Sequence, residues 1–141
     1  MIDREGRILR TVEWEIDVAG DPPVLTARTS GLPSVAGFTA LRAAVLSHPE
    51  FVPDMSVIYD HTDLAGYVSS IDIRTIAENA ARSSKTLPYW GRLAMVVPEP
   101  ALFGLARMWE AYAGDELAAR TRVFASLGEA YEWLGATPPS P

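Results

Sequence analysis

The chain has 141 residues, 48% hydrophobic and 21% charged, the composition of an ordinary globular domain long enough to bury one substantial core. Lys and Arg number 12 against 18 Asp and Glu, a net charge of −6, so the surface repels polyanions and argues against nucleic acid or an anionic membrane as partner. Cysteine is absent, which excludes disulfides, thiolate metal sites and cysteine nucleophiles. The basic residues Arg4, Arg7 and Arg10 are interleaved with Asp3, Glu5 and Glu13 and make no basic patch. The opening Met1–Gly6 lacks an export pattern, and no apolar run approaches the roughly 20 residues that span a bilayer, so a cytoplasmic protein without a membrane span is expected.

Ile8, Val12, Trp14 and Ile16 share one parity while Thr11, Glu13 and Glu15 take the other, the pattern of a strand with one wet face. Gly20–Pro23 breaks the chain, and Val24–Thr29 reads as a second strand, antiparallel to the first. Strands and helices then alternate, as in β-α-β crossovers. A helix over Val35–Ser47, with Phe38, Leu41 and Val45 on one stripe, stops at His48–Pro49, and a strand over Met55–Asp60 follows. Ser69 and Asp72 cap a helix at about Ser70–Ser83, whose inner stripe is Ile73, Ile76, Ala77 and Ala80.

Leu93–Val97 is apolar throughout, as expected of a strand covered on both faces, and it is placed in the middle of the sheet. Pro98 ends it. Pro100 suits the first turn of a helix running towards Gly114, with Leu102, Leu105, Ala106, Trp109 and Tyr112 on one face. Thr121–Ala125 forms the last strand, and Ser126 with Glu129 caps a helix that carries Leu127, Ala130, Trp133 and Leu134 and ends at Gly135. The reading is one α/β domain over residues 1–136, with a frayed Pro-rich tail at 137–141.

The segments Leu41-Arg42, His48-Pro49-Glu50-Phe51, Ile58-Tyr59-Asp60, Arg92 to Val97, Arg122-Val123-Phe124, Glu129-Ala130 and Trp133-Leu134 follow in an order that resembles the STAS fold, and more closely the SpoIIAA-like group of small bacterial proteins. The resemblance implies a mixed sheet of about five strands, an N-terminal antiparallel hairpin followed by crossovers, flanked by about four helices. It also implies a role in binding rather than turnover. In partner-switching members a phosphorylatable serine follows an aspartate after the third strand. The matching stretch here, Asp60-His61-Thr62-Asp63, lacks the Asp-Ser-Ser/Thr-Gly pattern, and Asp63 disfavours added phosphate on Thr62. The group's classification near CRAL-TRIO lipid-exchange proteins would further imply an apolar pocket.

The candidate binding residues are Asp60, His61, Thr62, Asp63 and Glu99, placed at strand ends where parallel sheets bind ligands. Asp60 with His61 could act as base and orienter or as two metal ligands; equally, Asp60 and Thr62 could satisfy a turn while His61 is solvated. His48, before a proline at a helix end, is read as a cationic cap. Two histidines 13 apart without a matched third ligand give no structural metal, and no Gly-x-Ser-x-Gly, phosphate-loop or dinucleotide motif occurs, so no cofactor is expected. Tyr89-Trp90 reads either as an exposed hot spot or as cover for the sheet, and Arg107 with Glu110 as a solvated face.

Three functions are compatible with these residues. The first is a non-catalytic STAS-like binding or regulatory module for an unknown protein or small molecule. The second is a small enzyme drawing its acid and base from Asp60, His61, Asp63 or Glu99. The third is a carrier of a small apolar or lipid-like ligand, which requires a cavity lined by residues such as Met95, Phe103 and Met108. Val24–Thr29 as an edge strand leaves a homodimer open.

Overall fold

The computed structural model describes residues 11–66, 68–86, 91–97 and 100–139. Trp14, Ile16 and Val18 turn inward and Glu13, Glu15 and Asp17 outward along β1 (Glu13–Ala19), so the period-two pattern is realised as a one-sided strand. A tight turn at Gly20, with φ of +99°, leads into β2 (Val24–Gly31), which pairs antiparallel with β1. A side chain at Gly20 would also meet the Thr137 carbonyl at 2.9 Å, so both backbone conformation and space demand glycine there.

The chain continues through α1 (Val35–Leu46), β3 (Ser56–Leu64), α2 (Ser70–Thr86), β4 (Leu93–Val96), α3 (Pro100–Tyr112), the five-residue α4 (Asp115–Ala119), β5 (Thr121–Phe124) and α5 (Leu127–Leu134). The sheet order is β1-β2-β3-β4-β5, with every pair after the first hairpin parallel. Crossovers of one hand that advance steadily in one direction place their helices on one face. Accordingly α1, α2 and α3 share a core with Leu25, Ala27, Val57, Leu93 and Met95, whereas α5 alone covers the opposite face over Val24, Ile58, Ala94 and Val96.

Local capping follows the expected chemistry. Ser34 accepts the Gly37 N–H, Ser69 that of Asp72 and Ser126 that of Glu129, while Gly135 ends α5 in the left-handed conformation at φ +66°. Gly37 lies under Val12, whose Cγ1 leaves no room for an added Cβ. Its lack of a side chain lets α1 approach the segment leading into β1.

Several expectations need correction. The third strand runs four residues past Asp60, so the Asp-His-Thr-Asp stretch lies within the sheet and not in a loop after it. β3 occupies the middle of the sheet, with β4 beside it, and β1 instead of β2 forms the edge. The short helix α4 lies between Gly114 and Thr121, where the sequence reading placed no element. Thr137, expected in a frayed tail, exchanges backbone hydrogen bonds of 3.0 and 2.8 Å with Asp21 and is tied to the hairpin turn. In α5 the buried anchors are Ala130, Tyr131 and Leu134, whereas Trp133 is half-buried between Phe124 and the Arg92 guanidinium.

A cavity between the helical layer and the sheet

On the three-helix face the sheet and helices do not close completely. α2 packs on α1 and α3, and its inward positions include the short side chains of Ala77 and Ala80, which share the core with Ala106 of α3. The unfilled space is a cavity of about 250 Å³. Protein interiors ordinarily close such space, because atoms that face a void lose their dispersion contacts.

The floor is formed by Tyr59 and His61 of β3 with Leu93, Met95 and Val97. Phe38, Leu41, Arg42 and Leu46 of α1 make one wall, Ile73, Ile76, Asn79, Ala80 and Ser83 of α2 another, and Leu105, Ala106 and Trp109 of α3 the third. Leu64, at the end of β3, and Val68, in the connection to α2, also line it. Among these residues only Arg42 carries a formal charge at neutral pH, and none is acidic.

The polar groups are concentrated on β3 and at the α1–α2 contact. Strand alternation brings Tyr59 and His61 to the same face, their rings nearly parallel with centroids 6.1 Å apart, and the edge of Phe38 meets His61 at 5.4 Å. The Thr29 hydroxyl donates to the Asp60 carbonyl at 3.2 Å, and the same oxygen lies 2.7 Å from His61 Nδ1. A hydroxyl has a single proton. With that proton directed to Asp60, the Thr29 oxygen accepts from Nδ1–H and Nε2 is the acceptor; with it directed to Nδ1, the ring takes the other tautomer and Nε2–H is a donor.

Burial pulls the His61 pKa from 6.5 down to about 4, against the smaller opposing effect of the Asp60 carboxylate, so the ring is neutral at physiological pH. Burial likewise pushes the Tyr59 phenol up to about 12, outweighing the nearby Arg42 charge, and keeps it protonated. Arg42 Nε donates to Ser83 Oγ at 2.7 Å, which in turn donates to the Ala80 carbonyl.

Asp60 and His61 do not form a pair. Asp60 faces the α5 side, is buried, and accepts hydrogen bonds from the Thr62 amide at 3.1 Å and from the Thr62 hydroxyl. A register shift between Arg28 and Ser30 brings Asp63 opposite Ser30, where it is exposed in a shallow cleft with Glu13, Glu15 and Arg28. The four residues of the stretch thus divide between the two faces, and the acid–base arrangement that Asp60 and His61 could have made is not built.

His61 is half-buried, with Phe38, Tyr59 and Thr29 around its ring. Glu99, Tyr89 and Trp90 lie outside the described residues. His48 Nδ1 accepts the Glu50 N–H at 3.1 Å. Among the described residues, no group of three or more His, Asp or Glu side chains is placed to hold a metal ion. Arg107 of the expected solvated face lies over the Phe103 ring, and Glu110 is partly buried, which raises its pKa against the influence of Arg107 and Arg122.

Tyr59, Arg42, Asn79 and Ser83 were not singled out for chemistry from the sequence. One signal was available for Tyr59: the parity of Val57, carried on through Tyr59, puts it on the same face as His61. Of the three residues expected to line a cavity, Met95 does so, while Phe103 and Met108 do not.

This architecture, a β-hairpin continued by parallel crossovers with three helices on one face and a capping helix on the other, is the SpoIIAA-like fold. The chain is similar in structure to an uncharacterized protein of the DUF3478 family with a SpoIIAA-like fold from Shewanella loihica PV-4, with a TM-score of 0.55 and 14% sequence identity over 91% of this chain and 96% of that one. No protein-family model matches the chain, and no curated protein does. No helix among the described residues is long and apolar enough to cross a membrane.

Proposed function

We propose that the protein is a non-catalytic binding module for a small, largely apolar ligand held between the three-helix layer and the sheet. The observation that carries this reading is the cavity of about 250 Å³, whose walls are Leu, Ile, Val, Met, Phe and Trp side chains with few polar groups among them. Ligand sites are typically concave and apolar with a small number of placed polar atoms. A dry cavity of about 150 Å³ suffices for benzene, so this one has room for a larger molecule. The separation of Asp60 from His61 supports binding over catalysis, because a general base needs its partner within hydrogen-bond reach.

The test is a titration with the hydrophobic fluorophore N-phenylnaphthylamine. The wild-type protein is expected to bind it saturably at one site. Ile76→Trp and Ala106→Leu, which fill the cavity from α2 and α3, are expected to weaken binding by about tenfold or more. Ile71→Trp, on the same helix but 76% exposed, should leave it unchanged. Absence of saturable binding, or equal binding by all folded variants, contradicts the proposal.

A further inference from the structure

The polar atoms on the cavity floor carry information about what the ligand presents to them. In the Nδ1–H tautomer His61 donates to Thr29 and its Nε2 is an acceptor. The opposite nitrogen, Nε2, has no partner among the described residues and belongs to a ring that lines the cavity. The Tyr59 hydroxyl, two residues earlier on the same strand face, likewise has no hydrogen-bond partner among the described residues. Both residues are half-buried in a cavity that is open to solvent, so a ligand seated there has to replace the hydrogen bonds these atoms make with water. Here one acceptor and one phenol stand side by side on a floor that is otherwise apolar.

Building on the cavity as an apolar-ligand site, we infer that the ligand is a neutral amphiphile whose head group donates a hydrogen bond to His61 Nε2 and accepts one from the Tyr59 hydroxyl, a hydroxyl group being the simplest head that does both. An apolar body would occupy the space among Ile73, Ile76, Met95 and Leu105. A carboxylate head suits the floor less well. Its lone pairs would face that of Nε2, and its charge would have to be desolvated against apolar walls. Arg42 lends its charge to the same region, where it strengthens the Tyr59 phenol as a donor.

The experiment is displacement of N-phenylnaphthylamine at neutral pH by four probes that share a chain: octanol, methyl octyl ether, octane and octanoate. Octanol is expected to bind about fivefold to tenfold more tightly than the ether, which accepts but cannot donate, and more tightly than octane or octanoate. Tyr59→Phe and His61→Phe, checked for folding by circular dichroism, are expected to reduce the preference for octanol while leaving octane binding unchanged. Equal affinity for octanol and ether, or tighter binding of octanoate, overturns the head-group inference while the cavity stands as a site. Failure of all four probes to displace the fluorophore overturns the cavity reading itself.

Discussion

Acidification from pH 6.5 to pH 4 is expected to remove about 3 kcal/mol of folding stability through His61 alone. The folded-state pKa of about 4 lies below the 6.5 of an unperturbed histidine. Between these values the unfolded chain takes up a proton that the folded one refuses. The contribution is therefore complete above pH 6.5, falls as pH drops, and is exhausted once the folded ring also titrates near pH 4. Urea unfolding of the wild type and His61→Phe across this range isolates the effect, because the carboxylates and His48 are common to both chains. The stability difference between the two should change by about 3 kcal/mol in the stated direction. Parallel curves would mean that the ring is hydrated and charged in the folded protein, and would remove the neutral acceptor from the cavity floor.

The two faces of the sheet should also respond differently to truncation. Ile58 in β3 is fully buried against Ala94, Val96, Ala130, Tyr131 and Leu134, with α5 closing over it. Ile58→Ala deletes packed methylenes from a filled layer and is expected to cost about 3 to 4 kcal/mol. Ile76→Ala removes the same atoms from a half-buried side chain bordering the cavity, where part of the surroundings is already empty. Its expected cost is about 1 kcal/mol. Denaturant midpoints at a common slope provide the comparison. Equal losses would indicate that α2 packs down on the sheet in solution and that the cavity is filled by the protein itself.

The fold was legible because its signals are local. Alternation in β1, serine caps before α1, α2 and α5, and the left-handed Gly135 each follow from a few neighbouring residues. The extent of β3 was not, because Asp60, Thr62 and Asp63 are residues that favour turns. Pairing with β2 carries the strand on to Asp63 and Leu64 against that preference, whereas β4 follows it only as far as Asp60. Reading the strand one pair further would have shown His61 and Asp60 on opposite faces.

The cavity was hidden for a different reason. The stripe of Ile73, Ile76, Ala77 and Ala80 has the periodicity of a core-facing helix whether or not anything fills the space in front of it. How far α2 stands from the strands depends on its packing against α1 and α3, which no short stretch of sequence specifies. Burial of His61 depends on the same placement, since its neighbours Phe38 and Thr29 come from other elements.

Methionine methyl NMR during titration with octanol tests the central claim most directly. Met95 lines the cavity, Met55 lies in the same core away from it, and Met108 sits on α3 outside it. Saturable displacement of the Met95 methyl resonance, with those of Met55 and Met108 unmoved, is the result expected of a ligand seated between the helices and the sheet. An unperturbed Met95 at octanol concentrations that displace the fluorophore would place the ligand elsewhere on the molecule and contradict the account.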